Sequence, residues 1–146
     1  MNCKCKEEAI LKYKAPYELV KGHDTDSGYD IRNVKGMLVI APRRTVKINT
    51  GVFLEIPKGY EVQVRPKSSL SAQGLIVHFR TVDEDYRGEV MVVVTNENLD
   101  EFVIENMQKV AQMVLAKRES VSVEKIDEIS KDTSRADGAF GSTGRF

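Results

Sequence analysis

Residues 90–94 have the sequence Val-Met-Val-Val-Val, a continuous apolar run rich in β-branched side chains. A run of this length and composition predicts a β-strand, and its continuity predicts a central strand that is buried on both faces. Upstream, Tyr60, Val62 and Val64 alternate with polar residues, which is the period-two pattern of a strand with one buried face. Pro66 ends that strand. The sequence therefore predicts a β-rich domain.

Shorter apolar runs on either side predict further strands, because residues typical of turns separate them. They are residues 36–40, 45–48, 52–56, 102–104 and 110–116, with a last strand at the alternating Val121 and Val123. A turn is predicted at Asn49-Thr50-Gly51. Helix is predicted for residues 68–73, with Ser68 or Ser69 as the cap, and more weakly for residues 124–130. Many short strands with little helix predict an all-β fold, a jelly-roll-like barrel with one short helix.

The composition is that of an ordinary globular domain. The 146 residues include 22 basic and 22 acidic ones, so the formal net charge is zero. No apolar run approaches the roughly 18 residues of a membrane span, and zero net charge argues against a nucleic-acid binder that works through bulk electrostatics. The charges are separated, since residues 31–80 hold nine bases and two acids, and residues 81–108 hold one base and eight acids. The first residues lack the apolar core of a signal peptide, so a cytoplasmic or otherwise intracellular location is expected.

The cysteines do not predict a disulfide or a metal site. Cys3 and Cys5 are one residue apart, and with His23 and His78 they could formally supply four metal ligands. A one-residue gap fits neither a disulfide framework nor a zinc spacing. We therefore expect reduced cysteines and no direct metal ligand.

Two polar segments in the middle of the chain are candidates for chemistry. In residues 66–70, Pro-Lys-Ser-Ser-Leu, backbone N–H groups, a hydroxyl and Lys67 can converge on an anion such as phosphate, with helix capping alone as the alternative. In residues 82–89, Asp83 lies at a strand end, where a carboxylate can deprotonate a water molecule. Tyr86 offers a flat face to a sugar or ring, or simply packs at a turn.

Two further segments lie toward the C-terminus. In residues 109–112, Lys-Val-Ala-Gln, the amide of Gln112 is either satisfied by backbone or faces a ligand. In the tail, Gly138, Gly141 and Gly144 let backbone N–H groups turn toward an anion, and two arginines can bind phosphate oxygens. A disordered C-terminus is the alternative for the tail.

Taken in order, the polar segments resemble the five sequence motifs of the homotrimeric deoxyuridine triphosphatases, or dUTPases. The matching segments are residues 27–32 (Ser-Gly-Tyr-Asp-Ile-Arg), 66–70, 82–88, 109–112, and 138–144 with Arg135. The resemblance covers residues 26–144. It implies a jelly-roll subunit in a threefold trimer, with a domain of residues 1–130 and a glycine-rich arm of residues 131–146 that closes a neighbouring active site.

The resemblance also implies a reaction and a set of site residues. The reaction is hydrolysis of dUTP to dUMP and pyrophosphate with Mg²⁺ on the triphosphate, which limits uracil in DNA and supplies dUMP for dTMP synthesis. Asp83 is implied as the base that activates water, and Asp30 as an outer-shell group near the metal. The implied substrate-binding residues are Lys67, Ser68, Ser69, Tyr86, Gln112, Arg135, Phe140, Gly141, Ser142 and Thr143, with a uracil hairpin that uses the backbone of Val77, His78 and Thr81.

The chain departs from the family pattern in residues 73–80 and at Lys67, and Ser69, Ala136 and Ala139 stand where the family has glycines. Two alternatives stay open. Residues 73–80 are shorter than in many members and lack their asparagine and glycines, while Lys67 replaces the usual arginine and loses its bidentate geometry. One alternative is a dCTP deaminase-related enzyme, which needs a glutamate base. The other is a non-catalytic nucleotide-binding regulator on the same fold. Asp83 together with Tyr86 favours the hydrolase, with dUTP as partner and neither nucleic acid nor membrane.

Overall fold

The structure is a computed structural model that describes residues 7–146, so the expectation for Cys3 and Cys5 lies outside the described residues. This part of the chain forms ten β-strands and one short helix. In chain order these are β1 (Lys12–Lys14), β2 (Tyr29–Arg32), β3 (Leu38–Ile40), β4 (Thr45–Glu55), β5 (Tyr60–Arg65), α1 (Ser68–Ala72), β6 (Leu75–Val77), β7 (Arg80–Val82), β8 (Glu89–Asn96), β9 (Phe102–Ile104) and β10 (Lys109–Lys117). The helix is too short to cross a membrane, and no other helix occurs among residues 7–146.

The strands form three antiparallel sheets. The first has the order β1-β4-β8-β6, the second β2-β10-β5-β7, and the third pairs β3 with β9. Apolar side chains from all three sheets, together with Leu70 of α1, form one buried core. The all-β, jelly-roll-like fold with one short helix is therefore confirmed.

Alternation along the strands decides which side chains enter the core. In β8, Val90, Val92 and Val94 are fully buried, and each contributes about 1.5–3 kcal/mol to folding. Met91 and Val93, which point to the other face, are only partly buried. The prediction that this strand is buried on both faces is wrong, because within residues 7–146 its outer face is not fully covered.

The predicted turn at Asn49-Thr50-Gly51 is also wrong, because these residues lie inside the continuous strand β4. The register with β8 shifts between Asn49 and Phe53, which is a bulge rather than a turn. Side chains hold the bulge, since buried Thr50 donates its hydroxyl to the Val90 carbonyl and the carboxylate of Glu89 accepts from the Gly51 N–H at 2.9 Å. Bulges and turns use the same residue types, so the sequence did not separate them.

The chain after β10 forms a C-terminal segment, residues 118–146, with almost every side chain exposed. The predicted strand at Val121 and Val123 is wrong, because these side chains are 74% and 93% exposed and join no sheet. The predicted helix at residues 124–130 is likewise absent. An alternating pattern forms a strand only where a neighbouring strand accepts its hydrogen bonds, and the described chain offers none there.

Gly51 and Gly36 form a matched pair for testing the bulge. Both have positive φ, +68° and +76°, but a Cβ on Gly51 would lie 2.8 Å from Cδ of Pro16, whereas one on Gly36 would meet nothing within 4 Å. We expect Gly36→Ala to lower the free energy of unfolding by about 1–2 kcal/mol through backbone strain alone. Gly51→Ala should cost about 2–4 kcal/mol because it adds a steric clash. Denaturant unfolding measures both values, and equal losses would show that the approach of Pro16 is unimportant.

Candidate active site

One end of the second sheet brings three of the polar segments together. In β10, Gln112 pairs with Asp30 of β2 on one side and with Arg65 of β5 on the other. β5 continues through Pro66 into Lys67 and α1. Strand register therefore places residues 27–32, 66–70 and 109–112 side by side, and we call this the lysine end of the sheet.

Asp30 is the buried acidic group of the lysine end and is 8% exposed. Lys67 Nζ donates to Oδ1 at 2.8 Å, and Lys109 Nζ lies 3.2 Å from Oδ2. Burial raises the pKa of Asp30, but the hydrogen bonds and positive charges of Lys67 and Lys109 outweigh burial and hold this pKa below its ordinary value. The carboxylate is therefore ionised at neutral pH.

Backbone accepts one hydrogen bond from the amide of Gln112, so the first of the two alternatives from the sequence holds for one N–H of this side chain. Its Nε2 donates to the Pro66 carbonyl at 3.2 Å. Gly28 lies against the same side chain, and a Cβ there would approach Oε1 of Gln112 to 2.7 Å. Gln112 thus ties β10 to the start of α1, and Gly28 is needed for the close approach.

The start of α1 differs from the sequence prediction. Lys67 occupies the N-cap position without a side-chain cap bond, so the prediction that Ser68 or Ser69 caps the helix is wrong. Leu70 and Ser71 both donate their N–H groups to the Lys67 carbonyl at 3.1 Å. Ser68 and Ser69 are exposed and belong to the first turn, where backbone N–H groups have no acceptor within the helix. These donors and Lys67 suit an anion.

The opposite end of the sheet carries Asp83 and Tyr86. β7 pairs with β5 so that Val82 lies opposite Val62, and Asp83 follows at the end where β5 begins. Asp83 is exposed, and its carbonyl accepts the Tyr86 N–H at 3.1 Å, which closes a turn. We call this the Asp83 end.

Glu84 fixes the Asp83 end to the rest of the sheet. Its Oε1 accepts the backbone N–H of Gly59 and lies 3.4 Å from a guanidinium nitrogen of Arg118. The backbone N–H of Arg118 in turn donates to the Gly59 carbonyl at 2.8 Å. The Gly59 N–H, with Arg118, holds the pKa of Glu84 below its ordinary value despite partial desolvation. Glu84 thus joins the Asp83 turn to the point at which the C-terminal segment leaves β10.

Tyr86 is held by its neighbours in the turn. Its hydroxyl donates to the Glu89 carbonyl at 2.9 Å. A Cβ on Gly88 would lie 2.5 Å from that hydroxyl oxygen, so Gly88 makes room for the ring. The ring is partly exposed, and a flat apolar face is available beside Asp83.

The two ends are far apart within one chain. Between the pair Gln112–Arg65 and the pair Lys117–Tyr60, β10 advances five residues, which is about 17 Å at the rise of an antiparallel strand. Lys67 lies two residues beyond Arg65, whereas Asp83 follows the Val62–Val82 pair and is level with Glu61, one residue before the last pair. A single described chain therefore does not bring Asp83 to Lys67, although the sequence suggested one site for both.

The segment predicted as a uracil hairpin is a crossing between sheets. β6 pairs with β8 in the first sheet and β7 pairs with β5 in the second, so the strands around Val77, His78 and Thr81 do not form a hairpin with each other. His78 bonds instead to β8, because its N–H donates to the Val93 carbonyl at 2.9 Å and its Nε2 lies 2.7 Å from Oγ1 of Thr95.

The glycine-rich arm forms a series of turns outside the core. Arg135 Nε donates to the Gly138 carbonyl at 2.6 Å, and the Ser142 N–H donates to the Ala139 carbonyl at 2.8 Å. Phe140 is fully exposed. The site residues predicted in the arm, Arg135, Phe140, Gly141, Ser142 and Thr143, are thus not brought to either end of the sheet in this chain.

Sequence reasoning assigned no role to Lys109 or Glu84, which the structure shows at the two ends. Lys109 was visible only as the first residue of a motif, and Glu84 only as one of three adjacent acids. Across residues 7–146, no three His, Cys, Asp or Glu side chains cluster as a metal site would require. At the lysine end, the donor set consists of Lys67 and the first N–H groups of α1, which suits phosphates.

Comparison with known proteins agrees with the polar segments. The sequence profile of the dUTPase family matches residues 18–144. A deoxyuridine 5'-triphosphate nucleotidohydrolase of Alkaliphilus metalliredigens is 41% identical over 125 residues, covering 84% of this chain and 85% of that protein. One of Hydrogenobaculum sp. is 38% identical over 144 residues, covering 97% of this chain and 94% of that protein.

Solved structures agree with the fold. The dUTPase of Staphylococcus bacteriophage 80alpha, determined with dUpNHpp, superposes with a TM-score of 0.85 at 22% sequence identity, covering 93% of this chain and 99% of that one. A Gly-to-Ser mutant of the same phage enzyme with dUpNHpp gives a TM-score of 0.84. At this identity the likeness concerns the fold alone.

The ion pairs of Asp30 predict a pH dependence of stability. Because the folded-state pKa lies below the ordinary value of 3.8, ionised Asp30 stabilises the fold above pH 3.8, and this contribution is lost as the pH falls through the folded-state pKa. We expect Asp30→Asn to lower the free energy of unfolding by about 2 kcal/mol at pH 7. The difference in the free energy of unfolding between this variant and the wild type should shrink below pH 3.8. Urea unfolding at several pH values measures it, with exposed Asp100→Asn as the control, and a difference independent of pH would contradict the assignment.

Proposed function

Because the chain belongs to the dUTPase family, we propose that it hydrolyses dUTP to dUMP and pyrophosphate. The observation that carries this proposal is the lysine end, where Lys67, the first N–H groups of α1 and Gln112 adjoin one another and suit a chain of phosphates. The names of the relatives and the nucleotide in the phage structure support dUTP as the substrate.

The reaction needs one base and many phosphate contacts. Asp83 takes a proton from a water molecule, whose oxygen attacks the α-phosphorus, and the bond from that phosphorus to the bridging oxygen of the β-phosphate breaks. Pyrophosphate leaves and dUMP retains the new oxygen. Phosphoryl transfer asks a protein mainly for positioning and charge neutralisation, so a single carboxylate is sufficient.

The remaining predicted residues bind the substrate in this proposal. Lys67, Ser68, Ser69 and Gln112 bind the α- and β-phosphates, and Tyr86 lies under the deoxyribose. Arg135, Ser142 and Thr143 bind the γ-phosphate side, with Gly141 allowing the turn and Phe140 stacking on uracil. Uracil would be read in the segment of Val77, His78 and Thr81 by backbone groups other than the His78 N–H, which donates to the Val93 carbonyl. Unpaired polar groups would then penalise cytosine, and a clash would exclude the methyl group of thymine.

The residues at the lysine end fit Mg²⁺ carried by the nucleotide. Mg²⁺ keeps several waters and takes phosphate oxygens with one or two carboxylates. Both oxygens of Asp30 already face lysines, so this carboxylate would act through water rather than as a direct ligand. When bound, Mg²⁺ neutralises charge on the triphosphate.

We further propose that the active site is assembled between the subunits of a homotrimer. The separation of about 17 Å between the two ends of the sheet supports this, because one chain cannot place Asp83 beside Lys67. The exposed C-terminal segment and the partly buried outer face of β8 supply further surface that a neighbour could cover. Light scattering should give a mass of about three times the 16.4 kDa of one chain.

Incubation with Mg²⁺ and each deoxynucleoside triphosphate tests the function. Pyrophosphate should be released from dUTP and not from dATP, dCTP, dGTP or dTTP. Ammonia from dCTP would indicate a deaminase instead. Binding of dUTP without turnover would indicate a regulator, and either result would overturn the proposal.

Asp83→Asn tests the base directly. The amide cannot accept the proton of water, so we expect kcat to fall by about 10²–10⁴-fold while binding of dUpNHpp is kept. Asp100→Asn, which also removes one exposed carboxylate, is the control and should leave kcat near the wild-type value. Steady-state kinetics and calorimetric binding give the two quantities. Near-normal turnover by the Asp83 variant would remove this residue from its role.

A further inference from the structure

One buried carboxylate at the lysine end holds two lysines that come from different elements. Lys67 precedes α1 and meets Oδ1 of Asp30, while Lys109 begins β10 and meets Oδ2. We propose that Lys109 is a positioning residue, which acts through Asp30 to free Lys67 for the triphosphate. This inference rests on the proposed function, because it concerns how the same site takes up its substrate.

The charges of this cluster explain why two lysines are needed. Asp30 is 8% exposed, so a state in which its carboxylate had no cation would be strongly unfavourable. If Lys67 were its only partner, moving that lysine to a phosphate would create this state. With Lys109 on the second oxygen, Asp30 keeps a cationic partner when Lys67 moves away. Lys67 can then turn toward the phosphates with a smaller loss of free energy.

The exposure of the two lysines fits this division of roles. The Lys67 side chain is 26% exposed and the Lys109 side chain 38%, so each ammonium contacts Asp30 without being sealed from solvent. Lys67 is the one that stands at the N-cap of α1, next to the N–H groups of Ser68 and Ser69. An anion bound by those groups would meet Lys67.

A bulge in β10 turns Lys109 to the side of Asp30. Along β10, Gln112 pairs with Asp30 and Ala111 with Ile31, but Lys109 pairs with Arg32, so one extra residue is inserted. In a regular strand, Lys109 would point to the face opposite Gln112, because the two are three residues apart. The extra residue restores it to the face of Asp30, and bulges commonly re-aim a side chain in this way.

Other contacts maintain the local structure without Lys109. The pairing of Gln112 with Asp30 and Arg65 is made by backbone, and Gln112 Nε2 donates to the Pro66 carbonyl. The fold around Asp30 and Lys67 is therefore expected to survive Lys109→Met, and a change in nucleotide affinity can be separated from a loss of folding.

A double-mutant cycle on dUpNHpp binding tests the proposal. Calorimetry at constant Mg²⁺ would compare wild type, Lys109→Met, Asp30→Asn and the double variant. We expect Lys109→Met to weaken binding about tenfold in the wild-type background. In the Asp30→Asn background it should have almost no effect, because no buried charge then needs a partner. Equal losses in both backgrounds would mean that Lys109 contacts the phosphates itself, and no loss in either would mean that it has no role; both overturn the proposal.

Two controls separate this inference from folding and from the proposed function. Lys109→Arg keeps a cation beside Asp30 and should retain affinity, so a loss as large as that of Lys109→Met would contradict the proposal. Lys47→Met, at an exposed position of β4, controls for the loss of one surface charge. Thermal unfolding of each variant reports any structural loss. If wild-type protein did not bind dUpNHpp, the proposed function would fail, whereas an additive cycle with normal wild-type binding rejects the inference alone.

Discussion

The hydrogen-bond register of β10 between β2 and β5 is the constraint on which the rest of the site depends. It places Gln112 between Asp30 and Arg65 at one end of the sheet and Lys117 beside Tyr60 at the other. Lys67, the first N–H groups of α1 and Gln112, which suit the α- and β-phosphates, lie at the first end, and the carboxylate that suits water activation lies at the second. A rigid antiparallel sheet cannot shorten that distance, so catalysis by one isolated chain is incompatible with the proposed roles.

The zero net charge takes on a clearer meaning in this arrangement. The basic residues 31–80 include Lys67, and the acidic residues 81–108 include Asp83. Within the chain, ion pairs balance part of each block, as in the buried pair of Lys67 with Asp30 and the more exposed pair of Arg118 with Glu84. In the proposed trimer, the lysine end of one subunit and the Asp83 end of another would form one site, with cations near the phosphates and a carboxylate near water.

Local pattern predicted much of this fold, and its failures have physical causes. The alternation in β5 and the apolar run in β8 are directly visible, and so is the helix that begins at Ser68. The bulge at Thr50 was predicted as a turn because both features use the same residue types. Val121 and Val123 alternate like a strand, yet without a neighbouring strand in the chain they remain exposed.

The candidate site, like the fold, was predicted only in part from the sequence. Motif resemblance identified Asp30, Lys67 and Gln112, which the structure brings together, but the distance to Asp83 depends on register and is invisible in a linear sequence. The role proposed for Lys109 depends on a single inserted residue, which changes the face to which its side chain points.

Mixing two inactive variants tests the central claim, that Asp83 and Lys67 of one active site come from different chains. Asp83→Asn and Lys67→Met proteins would be unfolded together, reassembled in equal amounts and assayed for dUTP hydrolysis. If each site joins two chains, about a quarter of the sites in random trimers contain both intact residues, and about a quarter of wild-type activity should return. If the mixture is no more active than the two variants separately, both residues belong to one chain and the account is wrong.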